Sequence, residues 1–239
     1  MSSEAALLAE INAVVERIDR KTTELQNAIN SKIGWLPGFL RDKVVSGWNT
    51  FCDYLNRVWS NFREVATNMG SPSALWETAD GWSDRVGSPV SAEVQTADAG
   101  LLNVDDKWDG DAADAYRQTL PLQKTALDKV KATLSDGVSA ALSDVAKGII
   151  VFWTGLVVAL LTLVGGIIGA LASAATIAGL PAGPFIAAGA ALVASASIIA
   201  GAEVLKSVCA AANSTLRQKL ADNSGFHRGH WPPAATDVQ

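Results

Sequence analysis

His227 and His230 are the chain's only histidines, three apart in His-Arg-Gly-His, a spacing at which two imidazoles on a helix could share one face as metal ligands. Gly229 and the prolines that follow Trp231 oppose a helix there, and no third ligand stands close in sequence, so no metal site is assigned. Five carboxylates, Asp105, Asp106, Asp109, Asp111 and Asp114, crowd one short stretch and could attract calcium. They lack the EF-hand ligand spacing and its distal glutamate, and acids just before and within a first helical turn are favoured by its exposed N–H groups. Cys52 and Cys209 are too few and too far apart for a disulfide framework or a zinc site and read as small apolar residues in helix interfaces, although a single bridge stays open. No phosphate-cradling loop, HExxH or GxSxG is present. The sequence therefore assigns no catalytic, cofactor-binding or metal residue and predicts a protein without enzymatic activity or cofactor.

The elements that carry these residues follow from composition. With 24 acids and 19 bases among 239 residues the formal net charge is −5, which argues against a nucleic-acid partner. Apolar residues make up 49% and charged ones 18%, and the mean hydropathy is +0.21. That excess is unevenly placed. Gly148 to Ala202 forms 55 consecutive residues without an acid or base, while the other 184 carry all 43 charges. The chain is made of two materials.

The charged part reads as helices. Leu7, Ile11, Val14, Ile18, Leu25 and Ala28 keep four-three spacing, interrupted where Lys21 occupies the seam. Gly34, Pro37 and Gly38 predict a turn, after which Leu40, Val44, Trp48, Phe51, Leu55, Val58, Phe62 and Val65 resume the alternation. These two helices are expected to fold back as a hairpin over residues 1–70. Ser71-Pro72 predicts the start of a third helix, and Ser88-Pro89 a break or kink after Arg85, with a second helical piece ending near Leu102. Asp109, Gly110 and Asp111 interrupt the pattern, and from Ala112 onward apolar positions that include Leu127, Val130, Leu134, Val138, Leu142 and Val145 keep helical spacing. Residues 71–146 thus form a second hairpin.

Trp108-Asp109-Gly110 at the bend of that hairpin, followed by Ala112, Ala113 and Tyr116, resembles the Trp-x-Gly proteins of type VII secretion over about Ser71 to Val145. Glycine lets the backbone turn tightly, and the tryptophan can pack beside the turn. The resemblance implies export as a folded helical pair with a secretion partner. Secreted pairs of this type also carry a tyrosine followed four residues later by an acid. Here Tyr54 is followed by Val58 and Tyr116 by Leu120, so a partner would have to supply that signal. Trp35-Leu36-Pro37-Gly38 has one residue too many for the motif. The first hairpin could still stand in for a dimer partner beside the second, giving a four-helix bundle within one chain. Glu4 and Glu10 stand where a secretory signal would have a basic patch and an apolar run, so any export is expected to need no Sec signal.

The charge-free block reads as a hydrophobic helical hairpin over residues 147–203. Gly148 to Leu171 is long enough to cross a hydrocarbon core of about 30 Å, Leu180 to Pro184, with Pro181 and Pro184, should turn the chain, and Phe185 to Ala202 is a shorter second span. Gly165 and Gly169 stand four apart, as do Ala187, Ala191 and Ser195, and these rows would let the two backbones approach closely. Lysines and arginines flank the hairpin on both sides, which under the positive-inside rule would leave both termini cytoplasmic, in conflict with delivery from outside. Residues 204–239 read as a short helix and a flexible tail.

The expectation is an all-α protein: amphipathic hairpins forming a bundle, followed by a hydrophobic hairpin that acts at a membrane. It is either secreted without a Sec signal or held at the cell membrane, with a helical secretion partner or a second copy of itself as candidate partners. The alternative is a soluble structural or assembly protein whose apolar hairpin is buried in a bundle or oligomer interface.

Overall fold

Four-three spacing in the N-terminal part becomes two 30-residue helices, α1 (Ser3–Lys32) and α2 (Gly38–Thr67), in the computed structural model, which describes residues 3–67, 70–97 and 107–232. A 3-10 turn at Ile33–Trp35 follows α1. The regular elements are all helical, and the protein is all-α. On α1 the stripe buries Ile11, Val14, Ile18 and Leu25, while Lys21 is half-buried and pairs with Glu24 at 2.5 Å. On α2, Val44, Phe51 and Val58 are buried at intervals of seven, and Trp48, Leu55 and Phe62 lie half-buried beside them. Asn56, Arg57 and Arg63 face water, as a single apolar stripe requires.

The third helix starts at Pro72 and is not straight. α3 (Pro72–Trp82) passes through a π turn at Ser83–Gly87 into α4 (Ser88–Thr96). Pro89 has no N–H and its ring crowds the carbonyl four residues back, at Arg85, so the helix widens before the proline instead of breaking at a new cap. The end expected near Leu102 lies outside the described residues. α5 (Asp111–Val130) then continues through a second π turn, Lys131–Ser135, into α6 (Asp136–Ala174). This π turn inserts a residue and rotates the faces. Of the expected stripe, Leu127, Val130, Leu134, Val138, Leu142 and Val145 are only half-buried, and the buried positions are Ala126, Ser135, Gly137, Ala141 and Ala146.

The two π turns meet. Ser135 is fully buried and its Oγ donates to the Trp82 carbonyl at 3.0 Å. Gly87 is buried against the same hydroxyl, so closely that any side chain there would collide with it. Ser83 Oγ lies 3.2 Å from Ser139 Oγ. A widened turn leaves backbone carbonyls short of partners, and buried serine is small enough to reach one.

α7 runs unbroken from Gly183 to Ala221. Residues 204–221 are therefore the end of a long helix and not a separate short one. Beyond it, residues 222–232 lie against α5: Lys129 pairs with Asp222, and the Lys129 stem fills the space beside Gly225. The Phe226 and Trp231 rings pack at 6.5 Å. Hydrogen bonding from Lys129 and Ser224 holds the Asp222 carboxyl well below the usual carboxylate range.

The chain divides into two compact units, Met1–Ser71 with Lys147–Ser207, and Pro72–Ala146 with Val208–Gln239. In the first, α1, α2 and the charge-free stretches of α6 and α7 form an up-down-up-down bundle. At one end, Lys32 Nζ donates to the carbonyls of Ala174 and Ala175 at 2.7 and 2.8 Å, joining the ends of α1 and α6. Gly47 of α2 packs on Phe185 near the start of α7, and further along Asn61 Nδ2 donates to Ser195 Oγ at 2.9 Å. At the other end Gly70 meets Ile149, and Ser71 Oγ donates to the Glu4 carboxylate at 3.1 Å. The four-helix bundle thus pairs the first hairpin with the charge-free hairpin and not with the Trp-x-Gly hairpin, because the most apolar faces available to the α1 and α2 stripes are those of α6 and α7.

Candidate membrane-active hairpin

α6 and α7 are each 39 residues long, and both contain a stretch long and apolar enough to cross a membrane. One side of each is used inside the bundle. Trp153, Leu156, Leu160, Leu163 and Ile167 of α6 are at most 2% exposed, and Ala187, Ala191 and Ser195 of α7 are buried. The opposite side faces outward without a charge: Val151, Val158, Leu161 and Ile168 on α6, and Leu192, Val193 and Ile199 on α7. Buried Ser195 is partnered by Asn61, so the hydroxyl in this core is satisfied.

The close approach of the two backbones uses a different row from the expected one. Gly165 is exposed with open space beside it, whereas a Cβ on Gly166 would collide with Ala190, and one on Gly169 would stand 3.6 Å from Ile186. Ala187, Ala191 and Ser195 turn one step further round, and through Ser195 their side of α7 meets α2. Four-residue spacing marks a row of small residues but not which neighbour it faces, and a helix packed on two neighbours uses two adjacent rows.

The turn also starts earlier than the prolines suggest. α6 ends at Ala174, and residues 175–182 form a chain of tight turns in which Ser173 Oγ donates to Gly179 O at 2.8 Å and Leu180 is fully buried. Pro181 lies in this turn and Pro184 is buried in the first turn of α7, where its missing N–H needs no partner. The turn has no charge of its own. Lys32 supplies one from α1, placing its ammonium on the negative end of the α6 dipole.

In the second unit Gly110 has φ 106° and precedes α5, and its carbonyl accepts from the N–H groups of Ala113 and Asp114 at 2.9 and 3.1 Å. A side chain at that φ is strained, which is the physical reason for glycine in the motif. Trp108 does not enter a deep groove. It is 44% exposed and lies on Tyr116 with ring centroids 5.8 Å apart, and its carbonyl accepts from Arg117 at 3.3 Å. Tyr116 in turn packs on buried Ala113 and Leu120. Asp111 and Asp114 stand in the first turn of α5, and Asp114 pairs with Arg117 at 2.8 Å. Asp105 and Asp106 lie outside the described residues.

The remaining chemical candidates do not converge. His227 and His230 face each other across a tight turn, with Arg228 and Gly229 both at positive φ and His230 N–H bonded to His227 O at 3.0 Å. Among the described residues no three histidines, cysteines or acids could share a metal ion. Cys52 and Cys209 are both free. Burial, with Asp53 beside it, pushes the Cys52 thiol up, which opposes thiolate chemistry. Set against family models, characterised proteins and solved structures, the chain matches none.

Proposed function

We propose that this chain is a non-enzymatic helical protein that acts on a membrane through the α6–α7 hairpin, and that its Trp-x-Gly corner serves delivery by type VII secretion with a helical partner. The observation that carries the membrane reading is the outward apolar side of the charge-free stretches of α6 and α7, residues 148–174 and 183–202, on which the only polar side chains are short hydroxyls such as Thr154 and Thr162. Those hydroxyls bond back to Ile150 and Val158 carbonyls, at 2.9 Å in each case, and so carry no unmet polarity into lipid. The secretion reading rests on the Trp108-Asp109-Gly110 corner and the small residues after it. Insertion of the whole hairpin requires α1 and α2 to leave it, breaking the Lys32 and Asn61 hydrogen bonds. Dye leakage from liposomes and resistance to carbonate extraction from host membranes are the expected outcomes. A second reading, a soluble assembly protein, is favoured by the buried side of the same hairpin. Purified protein that ignores liposomes while forming a defined oligomer would replace the first reading with the second.

A further inference from the structure

The two most exposed large apolar side chains among the described residues are Trp35 and Phe39, at 75% and 73%; Trp35 ends the 3-10 turn after α1 and Phe39 stands in the first turn of α2. Exposure of one tryptophan means little, but the position does. Lys32, the last residue of α1, reaches the carbonyls of Ala174 and Ala175 where α6 ends. The α1–α2 turn and the charge-free α6–α7 turn therefore lie at the same end of the bundle. Ile177 and Phe185, 45% and 41% exposed, add to the apolar surface at that end. Arg41 braces the first turn, its guanidinium within 3.4 Å of the Gly34 and Leu36 carbonyls, so the aromatic pair is carried on a held loop.

A hairpin whose charged arms both stay on one side of a bilayer must send its turn in first. The turn end is thus the end a membrane would meet, and Trp35 and Phe39 stand beside it. Tryptophan is suited to the interfacial zone, with an apolar body and one N–H to leave among headgroups. We propose that this end of the first unit is the membrane-docking tip, in which Trp35 and Phe39 enter the interfacial zone of a lipid bilayer and hold the α6–α7 turn against it before the hairpin inserts. The occupant is lipid because the surface continues into the 55 charge-free residues, whose length suits hydrocarbon. Lys32, Arg41 and Lys43 against Asp42 make the surroundings of the tip basic, which suits anionic headgroups.

This inference rests on the membrane reading above and can fail separately from it. The full chain is mixed with phosphatidylcholine–phosphatidylglycerol vesicles and sedimented, as wild type, as Trp35→Ser/Phe39→Ser, and as Val151→Ser/Val204→Ser, which removes exposed apolar groups of α6 and α7 far from their turn. Trp35→Ser/Phe39→Ser should lower vesicle partitioning by about tenfold or more, while Val151→Ser/Val204→Ser stays within about threefold of wild type. All three should melt alike, because the four side chains are exposed. Equal losses in both doubles would overturn the tip, leaving the long apolar side as the first contact. Unchanged binding of the tip variant would overturn it as well, as would a dimer in vesicle-free solution that dissociates in that variant while vesicle binding persists. Wild type that does not sediment with vesicles would instead remove the membrane reading itself.

Discussion

The two units use opposite means to close a helical core. The largest fully buried side chains, Trp153, Phe51, Ile18, Leu25, Leu156, Leu160, Leu163, Ile167, Leu180, Ile198 and Val44, are all in the first unit; Leu120 alone represents the second. There most buried positions are small, among them Ala79, Gly87, Ala113, Ala126, Ser135, Gly137 and Ala141, and two π turns are locked together by serine and glycine. Where apolar residues repeat without interruption, burial of large groups at about 1.5 to 3 kcal/mol each supplies the stability. Where proline and glycine interrupt the repeat, hydrogen bonds to displaced carbonyls fix the geometry instead. The first kind of core should tolerate small changes of shape and resist none of polarity. The second should behave the other way.

The sharpest break comes from charge in the first core. Leu160→Arg buries an unpaired cation at a fully buried position, and it should cost more than about 4 kcal/mol and unfold the first unit in circular dichroism melting. Val158→Arg, only two residues away and 59% exposed, should leave melting within about 0.5 kcal/mol yet abolish dye leakage, since an arginine at mid-span costs about 2.5 to 3.5 kcal/mol on the insertion scale. Loss of leakage without loss of fold would separate the core side of α6 from its lipid side. Similar melting losses in both variants would mean that the two sides are not distinct.

In the second unit the π-turn contact can be tested as a pair. Ser135→Val leaves the Trp82 carbonyl without its donor and should cost about 1 to 3 kcal/mol. Gly87→Ala should also destabilise, because the methyl collides with the Ser135 hydroxyl. Combined with Ser135→Gly, which opens that space, Gly87→Ala should cost less than the two single changes added together; additive losses in urea titrations would show that the turns are not coupled.

Smaller effects belong to the corner. Gly110→Val should cost about 1 to 2 kcal/mol, because a β-branched residue must hold φ 106°. Trp108→Ala should cost only about 1 kcal/mol, the scale of one partly exposed ring contact, and not the loss expected of a buried tryptophan. A drop of several kcal/mol would place Trp108 deeper than its contact with Tyr116.

The last test is pH. The Asp222 carboxyl is shifted below its ordinary value of 3.8, so its pairing with Lys129 contributes fully above that value and is lost as the pH falls below it. Hydrogen-exchange protection of residues 222–232 should fall below about pH 4 in wild type. Asp222→Asn should show reduced protection already at neutral pH and a flatter response to acid. Identical acid profiles would make the pair incidental.

Local patterns made much of this legible. The stripes of α1 and α2, the start at Pro72, the disturbance before Pro89, the glycine corner at Gly110 and the two apolar spans follow from periodicity, proline geometry and the absence of charge, each a property of a few neighbouring residues. The α5–α6 stripe misled because a π turn inserts one residue into the count, and nothing in the Lys131-Ala-Thr-Leu-Ser135 stretch announces it; the partner that makes it stable, Gly87, is distant in sequence. Gly165 misled because spacing identifies a face and not its neighbour.

By itself, then, the sequence determined that the chain is helical, where most helices begin, and that 55 residues carry no charge to keep them in water. Only the tertiary structure decided which hairpin lies against that block, which side of it stays exposed, and that Lys32 closes the end of α6 beside Trp35 and Phe39. The reason is physical. Hydrophobic burial is non-directional, so a stripe records that it must be covered but not by what, and a helix terminus records its unmet carbonyls but not which distant lysine will meet them.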